Sequence, residues 1–226
     1  DELKEIVNSR INFLFRNKYT KDNIWFEDVF EEKVGAEKSF KYLVDRTLLR
    51  PRDIIEFVNE CLAQAVDQSF VSQRAIRRAE VEYSRKRRNA LIDEWSSAFP
   101  SIETILLQIQ LRGNSFDASK DFWCSKLLED IGLNLPDDRK FETDPVIIAR
   151  NQWAKDPNQM NTTKLAQEIL ALLYRIGVVG LKIHPDDPYH YAHMRYPVIE
   201  AAAIADGTKA KVHKMFDFSL GLRSMR

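Results

Sequence analysis

Apolar residues recur at helical spacing along most of this chain, and the pattern changes character once. Leu3, Ile6, Val7, Ile11, Phe13 and Leu14 fall on one face of a helix over 2–18. Ile24, Trp25, Phe26, Val29 and Phe30 predict a short aromatic helix over 22–32, which Gly35 breaks. A helix over 37–48 leads into Arg46-Thr-Leu-Leu-Arg-Pro-Arg-Asp, and Ile54, Val58, Cys61, Leu62, Ala65 and Val66 give the next one from Pro51 to residue 67. Ile76, Val81, Leu91, Ile92 and Trp95 are the sparse apolar positions of a long helix over 71–98. Pro100 and Ser101 reset the chain, and Ile102, Ile105, Leu106, Ile109 and Leu111 form a further helix that Arg112-Gly113-Asn114 ends. Residues 1–113 read as an all-helical bundle.

The remainder differs. Helices are expected over 117–131, 143–153 and 162–176, and Gly177-Val-Val-Gly-Leu-Lys-Ile-His has β-branched strand character. Pro185-Asp-Asp-Pro signals a turn, Tyr189-His-Tyr-Ala-His-Met alternates as a returning strand would, and the tail from Arg195 fits one or two short helices. Three helices followed by a hairpin is the order of a winged helix-turn-helix. The expected fold is therefore mainly α: a helical bundle over 1–113, then a winged-helix domain over 114–226 with a small β-hairpin. Residues 113–118 are the expected joint.

One corner of the bundle stands out. Arg46, Arg50 and Arg52 lie within seven residues around Pro51. Proline fixes φ and lacks an N–H, so it opens a helix and pushes Arg50 out of the helical region. Asp53 then complements the positive end of that helix. Guanidinium groups held at such a corner suit a phosphate sensor. The alternative is structural, with Arg46 and Arg52 pairing with Asp45, Asp53 or Glu56 to lock the turn.

Composition narrows the function classes. With 30% charged residues, 44% hydrophobic residues and only 7 glycines, the 226-residue chain is helix-rich and long enough for a proper core. Net charge is zero, with 19 basic and 19 acidic residues in 1–113 and 15 of each beyond, so bulk charge favours neither nucleic acid nor membrane. Cys61 and Cys124 sit beside apolar residues in helical patterns, as buried thiols of a reducing cytoplasm do. No run reaches membrane-span length, and the sequence opens mid-pattern, like a piece of something longer.

No Gly-x-x-x-x-Gly-Lys-Ser/Thr loop is present, so the chain does not cradle a triphosphate alone. His190 and His193 have a spacing that tempts a metal reading, but on a strand they face opposite sides, and no metal site is assigned. No nucleophile elbow occurs. Arg74, Arg77, Arg78, Arg85, Lys86, Arg87 and Arg88 crowd 15 residues, offset by Glu80 and Glu82. Arg74, Arg77, Arg78, Arg85 and Arg88 fall broadly on one side of a helix. They form either a stripe for phosphate backbones or a partner's acidic face, or an ordinary solvated face with intrahelical pairs.

The block Asp45-Arg-Thr-Leu-Leu-Arg-Pro-Arg-Asp-Ile-Ile-Glu-Phe-Val-Asn resembles the lid of bacterial AAA+/STAND-like P-loop ATPases related to defence-associated NTPases. Shorter pieces in the same order resemble that family too: Leu3-Lys-Glu-Ile-Val-Asn-Ser-Arg-Ile, Ile24-Trp-Phe-Glu-Asp-Val-Phe, Tyr83-Ser, Asp93-Glu-Trp, Pro100-Ser-Ile, Leu173-Tyr-Arg-Ile-Gly-Val-Val-Gly and Val212-His-Lys-Met-Phe. The resemblance implies a C-terminal half, lid plus winged helix, whose P-loop core with ATP and Mg²⁺ belongs upstream. It implies that Arg52, then Arg50, then Arg46 reach the γ-phosphate held there. Three functions follow as alternatives: a regulatory region of such an ATPase, a DNA-binding winged helix, or an oligomerisation scaffold using the aromatic helix 22–32 and Phe216 and Phe218. The expected location is cytoplasmic.

Overall fold

Amphipathic helices bury an apolar stripe only against a neighbour, and the computed structural model shows where each stripe goes. It describes residues 2–16, 22–110, 115–117, 126–135, 143–194, 198–205 and 207–222. They are mainly helical, with two small antiparallel sheets. The chain divides into compact units of residues 1–86 and 87–226. That division falls within a helix, whereas the joint expected at 113–118 lies mostly outside the described residues.

In the first unit, α1 (Glu2–Phe15) buries Val7 and Ile11, while Phe13 lies off that stripe and is exposed. The expected 22–32 helix shrinks to one turn, α2 (Phe26–Val29). Side-chain amides on α1 explain how the approach to it is held. Asn12 Nδ2 donates to Ile24 O at 2.8 Å, Ile24 N donates to Asn12 Oδ1 at 2.9 Å, and Phe26 N donates to Asn8 Oδ1 at 2.9 Å. Phe30 then leaves the helix for a parallel bridge with Val71.

Gly35 does more than interrupt a pattern. At φ +63° it turns a hairpin of β1 (Lys33–Val34) and β2 (Glu37–Lys38), where Lys33 faces Lys38. Next come α3 (Ser39–Val44), α4 (Pro51–Ala63) and α5 (Gln73–Trp95). The α4 helix ends before Val66, which is exposed, and buries Phe57 besides the expected Ile54, Val58 and Cys61. Phe57 stacks on Tyr83 of α5 with ring centroids 4.3 Å apart. Each buried ring of this size removes apolar surface worth about 2–3 kcal/mol from water.

In the second unit, α6 (Ile102–Ile109), α7 (Lys126–Asn134), α8 (Pro145–Lys155) and α9 (Gln159–Arg175) surround a core of Ile105, Leu106, Ile131, Leu165, Ile169 and Leu173. Buried Asp144 caps α8 by accepting from Val146 N at 2.9 Å and also accepts from Ser101 N at 3.1 Å, so one carboxylate ties the starts of α6 and α8. The sheet is β3 (Ser115–Asp117), β5 (Lys209–Val212) and β4 (Val179–Lys182), antiparallel with β5 in the middle.

That register corrects the expected hairpin. Tyr189–Met194 does not return as a strand: it gives a single bridge, Leu181 to His190, followed by a 3₁₀ turn at Ala192–Met194. Tyr191 instead lays its ring on Gly180, where any Cβ would stand 2.6 Å from it. The true partner strand is Lys209-Ala-Lys-Val, whose Ala210 and Val212 are buried.

Candidate functional site

The chain turns between α3 and α4, and the turn is tightly held. Leu49 takes φ 55°, a left-handed conformation rare for leucine, and Arg50 is extended at φ −95° and ψ 138°, as a residue before proline must be. Asp53 is buried, and its Oδ2 accepts from Leu48 N at 3.3 Å across the turn. Leu49 N donates to Thr47 Oγ1 at 3.2 Å. The aspartate thus braces the preceding turn besides lying at the positive end of α4.

The three corner arginines separate. Arg46 points inward and is 2% exposed. Its Nε donates to Glu80 Oε1 at 2.6 Å, its Nη1 donates to Tyr42 O at 3.0 Å, and its guanidinium carbon lies 3.4 Å from the Tyr42 ring centroid. Glu37 adds a carboxylate oxygen at 3.7 Å, and the Tyr42 hydroxyl donates to Glu80 Oε2. Sequence reasoning offered Asp45, Asp53 or Glu56 as structural partners of Arg46 and Arg52; Arg46 pairs instead with Glu80, on α5, whereas Arg52 does pair with Asp53. Arg50 and Arg52 remain at the surface, with Arg52 Nε 3.9 Å from Asp53 Oδ1.

The basic run on α5 also sorts itself. Arg85 donates to Glu82 at 2.6 Å, the intrahelical pair the spacing suggests. Lys86 reaches Glu60 on α4, and this hydrogen bond raises the lysine's pKa. Arg88 is half-buried in the second unit. Arg74, Arg77 and Arg78 are exposed, and Arg78 Nη2 donates to Gln64 O at 3.3 Å. Glu80, which charge pattern placed among the solvated offsets, is buried with Arg46.

Cys61 is buried, and burial pushes its thiol well up, away from nucleophilic chemistry; Cys124 lies outside the described residues. Among the described residues no group of three or more His, Cys, Asp or Glu is placed to hold a metal. His193 and His213 instead join Tyr191 in a ring cluster in which His213 meets both other rings edge to face, with 5.1 Å between the histidine centroids. The aromatic segments proposed as contact surfaces are largely internal: Phe26, Phe30 and Phe216 are buried, whereas Trp25 is half exposed. Among the described residues no helix is long and apolar enough to cross a membrane.

Comparison with known proteins gives one match over most of the chain and one confined to its first part. No solved structure matches the chain. Over 189 residues, 81% of this chain, it is 25% identical to the putative transposon gamma-delta 80.3 kDa protein of Escherichia coli strain K12, and the match spans 24% of that protein. Residues 1–92, which hold α1, the hairpin, the arginine corner and most of α5, match the model of the FunZ-associated C-terminal helical domain. Neither description is that of a P-loop ATPase lid, so the corner arginines alone carry the nucleotide side of the resemblance.

Proposed function

We propose that this chain is a regulatory region of a larger P-loop ATPase, in which Arg50 and Arg52 sense a nucleotide phosphate held by an upstream core. The observation that carries the reading is the sorting of the corner. Arg46 turns inward to Glu80, and Arg50 and Arg52 lie at the surface around the first turn of a proline-started helix on a braced backbone, with Arg52 beside Asp53. Charge presented on so fixed a frame costs little reorganisation when an anion arrives. Element order in the second unit is compatible with a winged-helix element: α8 and α9 pack against each other across a short connection, and β4 follows α9 directly. ATP and Mg²⁺ enter only with the core, and the arginines would stabilise developing phosphate charge there.

The relevant experiment is ATP turnover by the full-length protein. Arg52→Ala and Arg50→Ala should each lower kcat by roughly tenfold or more, within what a charge-stabilising arginine contributes, with the melting temperature unchanged. Unchanged turnover in both variants sinks the proposal.

The winged helix itself favours protein over DNA as its contact. On α9 the cations are Lys164, which donates to Gln152 at 2.9 Å, and Arg175, opposed by Glu168. The transposon-borne relative gives nucleic acid a second hearing. A DNA contact through α9 would show as lost duplex binding in Lys164→Ala/Arg175→Ala.

A further inference from the structure

Like charges rarely stand directly opposite one another on a two-residue hairpin, because each such pair weakens it. Lys33 and Lys38 do so here, on the exposed face of β1–β2, while their neighbour Val34 is buried. A third cation joins them at the turn: a Cβ added to Gly35 would stand 3.4 Å from Arg77 Nη2. Arg74 and Arg78 occupy the same face of α5 as Arg77, one turn apart, so their side chains are neighbours.

The carboxylates nearby are mostly engaged elsewhere. Glu31 accepts from Gln73 N at 2.6 Å, and Glu37 faces Arg46 at 3.7 Å; exposed Glu32 is the remaining one on the hairpin stem. Among the described residues, none of Lys33, Lys38, Arg74, Arg77 and Arg78 forms an ion pair with a carboxylate.

We infer that the β1–β2 hairpin and the first turns of α5 form a binding face for the phosphate backbone of duplex DNA. Its five cations are all exposed and spread over the hairpin and α5, which suits a regularly charged polyanion better than a small anion. Neutralising the opposed lysines also gives the hairpin a reason to carry them. Chain neutrality sharpens the inference, since binding must then come from local arrangement rather than net charge. This face is separate from the Arg50–Arg52 corner and does not depend on the nucleotide reading.

Fluorescence anisotropy with a labelled duplex of random sequence, titrated with the intact chain at stepped salt, tests it. Each phosphate contact contributes about −0.9 to the slope of log K against log salt, so the five cations should give roughly −3 to −5. Lys33→Glu/Lys38→Glu/Arg77→Glu should weaken binding by at least about tenfold and flatten that slope, while Arg85→Glu, whose arginine is paired with Glu82, should leave it nearly unchanged. Lys38→Gln covers the case of misfolding: it should keep or raise the melting temperature and still cost about one unit of slope. Salt-independent binding, full affinity in the charge-reversed and Lys38→Gln variants, or equal competition by polyglutamate would overturn the inference, the last pointing to an acidic protein as the occupant.

Discussion

Arg46 donates through Nε to Glu80 Oε1 at 2.6 Å across 34 residues of chain, and both side chains are 2% exposed. The pair joins the α3 end of the corner to the middle of α5. Removing one partner strands a buried charge, which costs about 3–5 kcal/mol, whereas replacing both by apolar residues of similar volume is often neutral. Glu80→Leu or Arg46→Met alone should therefore lower the denaturation free energy by that amount. Arg46→Met/Glu80→Leu should recover most of it. Urea unfolding of the three variants decides, and equal losses in single and double variants would mean that packing, not charge, dominates.

Leu49 holds a conformation that costs a non-glycine residue roughly 1–2 kcal/mol. Its side chain is 42% exposed, so truncation forfeits little burial. Leu49→Gly should relieve the strain against a smaller unfolded-state entropy cost, giving a net gain of up to about 1 kcal/mol. Thermal unfolding measures it. A large loss would show that leucine packing holds the corner.

Gly180 is pressed by the Tyr191 ring at 2.6 Å from any added Cβ. Gly180→Ala should cost about 1–3 kcal/mol through overpacking. Gly180→Ala/Tyr191→Leu should regain part of that loss, because the ring is what collides. No rescue in calorimetry would place the cost in the strand backbone instead.

Glu168 is pushed above the usual 4.5 of a glutamate, chiefly by burial, with Lys164 and Arg175 pulling the other way. The native state then binds a proton more tightly than the unfolded chain. Stability is retained below the ordinary value and declines as pH rises through the interval between the two pKa values. Glu168→Gln should raise the melting temperature at pH 7 and make no difference below about pH 4. A melting temperature shift of equal size at both pH values would exclude the titration of Glu168 as its origin.

Much of the helical framework was legible because its signals are local. Pro51 opens α4, Asp144 and Pro145 open α8, and apolar spacing marks α5 and α9. The long-range partners were not. Nothing in the charge pattern of α5 distinguishes Glu80 from Glu82, yet one is buried with Arg46 and the other pairs with Arg85 in solvent. The choice depends on which face of α5 meets α3, and periodicity does not report that. Strands of two to four residues leave almost no period to read, so Tyr189–Met194 imitated a strand while Lys209–Val212 became one. In the candidate site, Pro51 made the corner around Arg46, Arg50 and Arg52 readable, but not that Arg46 turns inward while Arg50 and Arg52 lie at the surface. The Lys33–Lys38 pairing was not, because two residues on either side of Gly35 carry no alternation.

Asn12 meets Ile24 with its amide nitrogen donating and its amide oxygen accepting, both to the backbone of one residue. A side chain there imitates a neighbouring strand and supplies the paired edge that residues 22–26 lack. Shape alone does not satisfy such a position. Aspartate has nearly the same outline, yet it would turn one of the two bonds into a contact between two acceptors, so position 12 screens substitutions by hydrogen-bond polarity rather than by size.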